Sequence, residues 1–300
     1  MNEDVNGIAL RWDAASRTVG GNERSLAGGL RYSIEGGGYE SYRDLFSWSS
    51  VPSVVAFQQA VANAFAAWTA VDPVSGLGTD LAFVDDTSNT AVASTASLGA
   101  EIDLFAGAVI GTGTLGGVTS VGWQIWGGDV VTMTTGDVRG RNVIAGADIT
   151  MNNDGTSWTL DIFEDVLTHE IGHAIGLDDI ENSGAAGEFI DDNYDGTTSS
   201  LLNSFAGIID TSHPESTAGI SKYTVPSSLF DADNPTTGAP FLLMETNGDP
   251  GASGILGNDA YAGRQYLYPA TAVPEPAAWM LLGCVSVVLL KPKLAKLIAA

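Results

Sequence analysis

Basic residues and cysteine are scarce in this sequence. Its 300 residues include 12 lysine and arginine residues against 36 aspartate and glutamate residues, and between positions 44 and 263 the only basic residues are Arg139, Arg141 and Lys222. Because the phosphates of nucleic acid are bound by a basic face, we exclude nucleic acid as a partner. The acidic balance is typical of a secreted protein and equally of a merely soluble one. The single cysteine, Cys284, excludes an intramolecular disulfide.

The sequence also lacks a recognisable secretory signal and a full-length membrane span. Its first residues, Met1-Asn-Glu-Asp-Val-Asn-Gly7, contain neither a basic patch nor an apolar run, so residues 1–26 are predicted to be a polar leader. Towards the other end, the uncharged run from Ala277 to Leu290 is shorter than the ~20 residues that cross a bilayer comfortably. We therefore expect no permanent anchor. A buried C-terminal core helix is the alternative interpretation of this run.

Residues 270–300 form a tail with three parts in order. Pro274-Glu-Pro276 is followed by the apolar run and then by Lys291-Pro-Lys293. This order resembles the Pro-Glu-Pro C-terminal (PEP-CTERM) sorting signal of Gram-negative bacterial surface proteins, with Val273 to Pro276 at the motif. The resemblance implies that the main domain is exported to the cell surface or beyond and is tethered to the membrane transiently. It also implies a partner, the sorting machinery that cuts and discards the tail.

Periodicity predicts an α+β domain over residues 27–269. Apolar residues recur at helical intervals from Val54 to Trp68, which predicts an amphipathic helix that ends before Asp72-Pro73. A second helix is predicted to begin with Asp161 as its cap and Glu164 three places on. Alternating or apolar segments, separated by glycine, threonine and serine, predict strands. These strands are Leu30–Ile34, Asp80–Val84, Glu101–Phe105, Gly117–Trp126, Asp129–Met133 and Ile144–Met151.

Two of the three histidines lie four residues apart, with a glutamate between them. The segment reads His169-Glu-Ile-Gly-His-Ala-Ile-Gly-Leu-Asp-Asp179. On a helix, a four-residue step brings His169 and His173 to one face, roughly 6 Å apart, where both can bind one cation. Glu170 lies one step round the helix, beside the cation rather than on it. The pattern therefore predicts a metal site with a base next to it.

A third metal ligand is expected just beyond the helix. Gly176 would be costly inside a helix, so we predict that the helix stops there in a left-handed conformation and that the chain doubles back. Asp179 could then reach the cation bound by the histidines. Zinc commonly takes three protein ligands at a catalytic site and keeps a fourth place for water. Asp178 and His213 are the alternatives for the third ligand.

The extended motif from His169 to Asp179 resembles that of the metzincin zinc metalloproteases, in the variant HExxHxxGxxD where aspartate replaces the third histidine. More of the chain is similar to the matrixin type, over roughly residues 28–269. The resemblance implies a twisted mixed sheet, a long first helix, an active-site helix and a C-terminal helix. The similar segments are Val54–Val71, Glu101–Ala106, Ala147–Met151 followed by Trp158, and Asn258–Tyr268. It also implies a methionine turn beneath the metal, for which Met244 is the candidate, and an insertion at about residues 180–240.

The insertion contains a second candidate cation site. Asp191, Asn193 and Asp195 have the spacing that opens an EF-hand loop, and Gly196 follows them. Leu202 occupies the twelfth position, where an EF-hand requires a bidentate glutamate, so a true EF-hand is excluded. A looser Ca²⁺ site and a solvated turn remain as interpretations.

The resulting hypothesis is a monomeric, zinc-dependent endopeptidase that acts on extracellular or surface proteins. Zinc lowers the pKa of a bound water, and Glu170 takes the proton of that water as it attacks the peptide carbonyl. The peptide substrate is expected to lie along the exposed edge of the strand Gly117–Trp126. No cysteine lies upstream of the motif to keep the zinc site latent.

Two rival functions follow from the same sequence. The first is a catalytically inactive metzincin-fold module that serves surface adhesion or calcium-stiffened binding, which agrees with the acidic composition, the insertion and the tail. An intact Glu170 argues against it, because a purely structural site requires no base. The second is an intracellular peptidase, which rests on the lack of a visible signal peptide.

Overall fold

The computed structural model divides the chain into two compact units, residues 1–270 and residues 271–300. All described residues belong to the first unit. They are 10–71, 78–93, 98–108, 113, 115–125, 130–133, 136–139, 142–155, 157–178, 243–244, 256, 258–268 and 270. None of the helices in these ranges is both long enough and apolar enough to span a bilayer.

Helices and strands alternate irregularly along the described chain. The helices are α1 (Tyr39–Arg43), α2 (Val54–Ala67), α3 (Leu160–Ala174) and α4 (Asn258–Leu267). The strands are β1 (Thr18–Val19), β2 (Asn22–Glu23), β3 (Leu30–Ile34), β4 (Ser47–Trp48), β5 (Phe83–Thr90), β6 (Ile102–Gly107), β7 (Gly117–Ile125), β8 (Val130–Met133), β9 (Gly136–Arg139), β10 (Asn142–Asn152) and β11 (Ser157–Trp158).

Five strands form the main sheet, in the order β5-β3-β6-β10-β7. Strands β5, β3, β6 and β10 are parallel to one another, and the edge strand β7 runs antiparallel to β10. Two-stranded pairs form between β1 and β2, between β4 and β11, and between β8 and β9. The molecule is therefore a mixed α/β structure with a mixed sheet and few helices, compatible with the predicted α+β class.

Each face of the sheet is defined by its register, because directly paired residues point to the same side and successive residues to opposite sides. Helix α3 contacts β10 and β7, and α2 packs on α3. The face turned towards these helices, here the helix face, bears the paired row Ile34, Leu104, Ile149 and Thr119. The next row lies on the opposite face and consists of Ser33, Asp103, Asp148 and Ser120.

The apolar core lies between the helix face and the helices. Ile34, Leu104 and Ile149 are fully buried, as are Phe57 and Val61 of α2. Helix α2 begins where the Ser53 hydroxyl accepts a hydrogen bond from the Ala56 amide at 3.1 Å. Its range agrees with the helix predicted from Val54 to Trp68. The core supplies a rigid support for α3, which carries the paired histidines.

The opposite face carries a charged cluster, here the buried charged cluster, in which Arg24, Glu101 and Asp103 are buried and Arg31 is partly exposed. Arg31 donates two hydrogen bonds to the Glu101 carboxylate, at 2.9 and 3.0 Å. The guanidinium of Arg24 lies 3.9 Å from the same carboxylate and donates to the carbonyl oxygens of residues 98–100. The terminal nitrogens of both guanidinium groups therefore meet acceptors, whereas the buried Arg24 Nε has no hydrogen-bond partner among the described residues.

The described part of the N-terminal segment belongs to the domain rather than to a separate leader. Trp12 is fully buried and donates its indole N–H to the Ala174 carbonyl at 2.9 Å. The Ile144 amide donates to the Arg11 carbonyl at 3.0 Å. Residues 10–26 thus contribute to the core, although the sequence predicts a domain that begins at residue 27. The reason is that a few separate apolar residues, Leu10, Trp12 and Val19, are buried in a polar segment that has no periodicity to reveal it.

The predicted strands agree with the structure except near residue 80. There, the predicted strand Asp80–Val84 is replaced by β5, Phe83–Thr90. Thr79 donates its hydroxyl to the Tyr268 carbonyl at 2.6 Å, and the Asp80 amide donates to the same oxygen at 3.3 Å. These contacts hold the chain in a turn, so that pairing with β3 begins at Phe83.

Candidate metal centre

The cap of helix α3 lies two residues before the predicted cap. The Thr159 hydroxyl accepts a hydrogen bond from the Ile162 amide at 3.3 Å, and Thr159 itself has an extended backbone. The prediction of Asp161 as the cap is wrong, because Leu160 is already helical and Asp161 lies in the first turn. An acidic residue there still interacts favourably with the helix dipole.

Helix α3 ends as predicted, with a left-handed glycine just after the second histidine. Gly176 has φ = 103°. Its amide donates to the His173 carbonyl at 2.9 Å, and the Leu177 amide donates to the Gly172 carbonyl at 2.9 Å. These two bonds form a Schellman motif. A Cβ atom at Gly176 would overlap the Leu10 carbonyl oxygen, so both φ and the close approach require glycine.

Each histidine of the pair has one ring nitrogen next to a backbone carbonyl. His169 Nδ1 lies 2.7 Å from the Leu243 oxygen, and His173 Nδ1 lies 3.1 Å from the Leu177 oxygen. A carbonyl oxygen can only accept, so each Nδ1 carries the proton and donates it. In the neutral rings, each Nε2 is consequently the acceptor nitrogen, the type of atom that binds a cation.

The two Nε2 atoms face each other at a distance of 3.0 Å. The rings are nearly perpendicular, with an interplanar angle of 86° and centroids 4.7 Å apart. Two acceptors at this distance repel each other unless a proton or a metal ion lies between them. In tetrahedral zinc coordination, two imidazole nitrogens lie about 3.3 Å apart. The donor set and its spacing therefore fit a zinc ion.

Glu170 is buried next to the first residues of β7. Only 4% of the residue is exposed. Thr119 Oγ1 lies 2.6 Å from the Glu170 carboxylate oxygen Oε2 and 3.0 Å from the Glu170 carbonyl oxygen. A Cβ atom at Gly117 would lie 2.7–2.9 Å from the Cγ, Cδ and Oε1 atoms of Glu170. A glycine and a hydroxyl of β7 thus accommodate the carboxylate.

Sequence reasoning missed both Gly117 and Thr119 as neighbours of Glu170. Alternation within β7 indicates that residues 117 and 119 share a face. The antiparallel register of β7 with β10, which places Thr119 opposite Ile149, does not follow from local sequence. The contact is therefore a product of tertiary structure.

Met244 packs beneath α3, next to the histidines. It is 3% exposed. A Cβ atom at Gly172 would overlap the Met244 sulfur, and it would lie 2.9 Å from both Met244 Cε and Trp68 Cζ2. Glycine at position 172 therefore lets Met244 approach the helix. Since the preceding residue, Leu243, accepts from His169, this short turn both supports α3 and orients one histidine.

The third ligand is not placed by the described residues. Asp178 is exposed, two residues beyond Gly176. Asp179, the favoured candidate, and His213 lie outside the described residues, as do the candidate calcium residues Asp191, Asn193 and Asp195. Within the described ranges, histidine, cysteine, aspartate and glutamate form no group of three suited to a metal ion.

Comparison with known proteins identifies no relative. Neither family models, nor curated proteins, nor solved structures match this chain. The interpretation of the site consequently rests on its own geometry and chemistry.

Proposed function

We propose that this chain is a zinc-dependent endopeptidase that hydrolyses peptide bonds of extracellular or surface proteins. One observation carries the proposal: two histidine Nε2 atoms lie 3.0 Å apart, with their Nδ1 atoms next to carbonyl oxygens. In a polar cluster that serves stability alone, donors face acceptors. Here two acceptors are brought together, which is the requirement of a site for a cation.

The proposed zinc ligands are His169, His173 and Asp179, with Asp178 and His213 as alternatives for the third place. The bonds from the histidine Nδ1 atoms to Leu243 and Leu177 support this assignment, because they fix the tautomer and orientation of each ring. When bound, zinc supplies Lewis-acid chemistry towards water and the scissile carbonyl.

Glu170 is the proposed general base. It follows His169 directly on α3, and its carboxylate is held at the edge of the site by Thr119. The carboxylate takes a proton from the attacking water as the new carbon–oxygen bond forms. It then delivers that proton to the amine nitrogen as the carbon–nitrogen bond breaks. Burial supports this role, because a base shielded from bulk water keeps its position. It also retains the proton taken from the attacking water until that proton is delivered to the amine.

Strand β7 is the proposed docking edge for an extended peptide. Among the described residues of the main sheet, β7 pairs with β10 and with no further strand. Its second edge therefore offers backbone N–H and C=O groups to a partner strand. The same strand carries Thr119, so a peptide along this edge would pass close to Glu170.

A metzincin fold of the matrixin type is the finer proposal. Its supports are α2 and α3 packed on one face of the sheet, Met244 beneath α3, and buried Trp158 shortly before α3. Export to the surface of a Gram-negative bacterium, removal of the tail by sorting machinery and binding of Ca²⁺ in the insertion are proposals that rest on sequence motifs alone.

The test compares Glu170→Gln with Glu164→Gln, a matched control on the same helix. Both variants and the wild type are loaded with zinc, their metal content is measured, and cleavage of casein and gelatin is followed. We expect Glu170→Gln to retain zinc and to lose about 10²- to 10⁴-fold in rate, whereas Glu164→Gln remains active. Chelation should abolish cleavage by the wild type.

Two outcomes would count against the proposal. Full proteolysis by Glu170→Gln would show that the assigned base is wrong. A zinc-loaded wild type that cleaves no member of a peptide library in a chelator-sensitive way would favour the non-catalytic surface module instead.

A further inference from the structure

We infer that Thr119 is a positioning residue, which holds the Glu170 carboxylate in the orientation for proton transfer. The catalytic consequence rests on the proposed function, whereas the contact itself does not. Thr119 Oγ1 lies 2.6 Å from Glu170 Oε2, and the two residues are 51 positions apart in the chain.

The sheet register turns Thr119 towards α3. Thr119 is paired with Ile149, whose side chain is fully buried in the core. Directly paired residues share a face, so the threonine side chain points to the helix face. Val118 and Ser120, on either side of it, are exposed. The alternation along β7 therefore places one hydroxyl, and not its neighbours, against Glu170.

The hydroxyl proton has two acceptors within reach, and the carboxylate is the stronger. A hydroxyl donates one proton. The Oε2 atom is closer, at 2.6 Å, than the Glu170 carbonyl oxygen, at 3.0 Å. Bonds to a charged acceptor are shorter and about twice as strong as bonds to a neutral one. The Thr119 hydroxyl therefore donates its hydrogen bond to Oε2, and this bond links the carboxylate to strand β7.

Gly117 completes the restraint from the same face of β7. Any side chain at this position would meet the Glu170 Cγ, Cδ and Oε1 atoms. The carboxylate thus lies against bare backbone on one side and accepts from Thr119 on the other. With Oε2 held by the hydroxyl, Oε1 is the oxygen assigned to proton transfer.

Loss of the hydroxyl should affect the chemical step rather than substrate binding. A carboxylate that samples several rotamers is less often in the productive position, and a misplacement of ~1 Å can lower a rate by about 10²-fold. A peptide at the β7 edge would pair with backbone groups, whereas the Thr119 side chain points to the helix face, so the loss of its hydroxyl should leave KM unchanged. Because a partly unfolded sample also has a lower apparent kcat at unchanged KM, kcat is expressed per folded, zinc-loaded molecule, and Thr119→Ser separates loss of the hydroxyl from loss of structure.

The kinetic test compares Thr119→Val and Thr119→Ser with Thr150→Val in the zinc-loaded full-length chain. Thr150 is paired with Val118 and lies on the opposite face, so it receives the same chemical change away from Glu170. We expect Thr119→Val to lower kcat about 10- to 100-fold with KM within about twofold. Thr119→Ser, which keeps the hydroxyl, should stay within about threefold, and Thr150→Val should match the wild type. An unchanged or raised kcat for Thr119→Val, or an equal loss for Thr119→Ser, would overturn the inference.

A second measurement needs neither zinc nor activity. Melting temperatures of the chelator-treated protein are compared for the wild type, Thr119→Val, Glu170→Ala and the double variant. We expect Thr119→Val to lower the melting temperature by about 3–6 °C in the wild-type background and by less than about 2 °C in Glu170→Ala. Equal changes in melting temperature in both backgrounds would show that Thr119 and Glu170 do not interact and would overturn the inference. If the effects of Thr119→Val and Glu170→Ala are coupled but the protein has no peptidase activity, the positioning of Glu170 by Thr119 is supported. Only the proposed function is then overturned.

Discussion

The two faces of the main sheet carry their polar side chains in different ways. On the opposite face, the buried charged cluster joins guanidinium groups to carboxylates and carbonyl oxygens. On the helix face, beside an apolar core, α3 brings two imidazole acceptors to 3.0 Å from each other. The first arrangement pairs most of its guanidinium donors with acceptors inside the chain. The second gathers acceptors of one kind, which a protein needs only for a proton or a cation.

Under the proposed function, this difference separates groups that stabilise the fold from groups that bind a ligand. Buried ion pairs are strongly coupled to folding because removal of one partner leaves the other charge buried and uncompensated. A ligand site, in contrast, is held in place by the fold and contributes little to it until the ligand binds. Mutations on the two faces should consequently differ in what they damage.

The largest effect on stability is expected for Glu101→Ala on the opposite face. This change removes the acceptor of Arg31 and the counter-charge of Arg24, whose side chain is fully buried. We expect the free energy of unfolding to fall by about 3–5 kcal/mol, measured by urea denaturation, with zinc content of the folded protein unchanged.

Glu40→Ala is the matched control for this change. Glu40 lies 3.9 Å from Arg43 and its side chain is 74% exposed, so its loss should alter the free energy of unfolding by less than about 1 kcal/mol. Equal effects of the two substitutions would remove the distinction between a buried charged cluster and a surface pair.

A smaller and pH-dependent effect is expected for Asp103→Asn. Burial raises the pKa of Asp103 above its ordinary value. The folded state therefore binds this proton more tightly than the unfolded state, and stability from this group is lost as the pH rises from about 4 through the raised pKa. Relative to the wild type, Asp103→Asn should gain stability as the pH rises through that window, measured by urea denaturation at each pH.

Asp85→Asn should show the opposite slope. Burial raises the pKa of Asp85, but hydrogen bonds from Thr87 and Tyr39 outweigh burial and leave this pKa below its ordinary value. The stability from Asp85 is present above its unfolded pKa and is lost as the pH falls. The deficit of Asp85→Asn should therefore grow as the pH rises. Parallel slopes for the two variants would contradict the assignment of opposite shifts.

The smallest effect on stability is expected for His173→Ala without metal. In chelator, this variant loses the hydrogen bond to the Leu177 carbonyl and the contact with His169, neither of which is a buried ion pair, so its free energy of unfolding should fall by only about 1 kcal/mol. Added zinc should raise the unfolding midpoint of the wild type and leave that of His173→Ala unchanged. A loss as large as that of Glu101→Ala in chelator would place the histidine among the groups that stabilise the fold.

Local sequence was sufficient for the longer helices, for most strands of the main sheet and for one half of the candidate site. Strand Leu30–Ile34 and the helix from Val54 were predicted closely, because their patterns have the period of the structure they form. The four-residue spacing of His169 and His173 and the glycine at position 176 likewise specify a local geometry. Those features depend on residues within one or two helical turns of each other, where chain connectivity alone sets the distances.

The other half of the site was decided by contacts between distant segments. Thr119 reaches Glu170 only through the register of β7 with β10, and Leu243 orients His169 from 74 positions away along the chain. The two faces of the sheet are likewise distinguished by which side α2 and α3 cover. The sequence by itself determined a helix with two histidines and a glutamate. Tertiary packing decided which carbonyls contact the rings and which hydroxyl contacts the Glu170 carboxylate, because those partners are set by register and burial rather than by spacing.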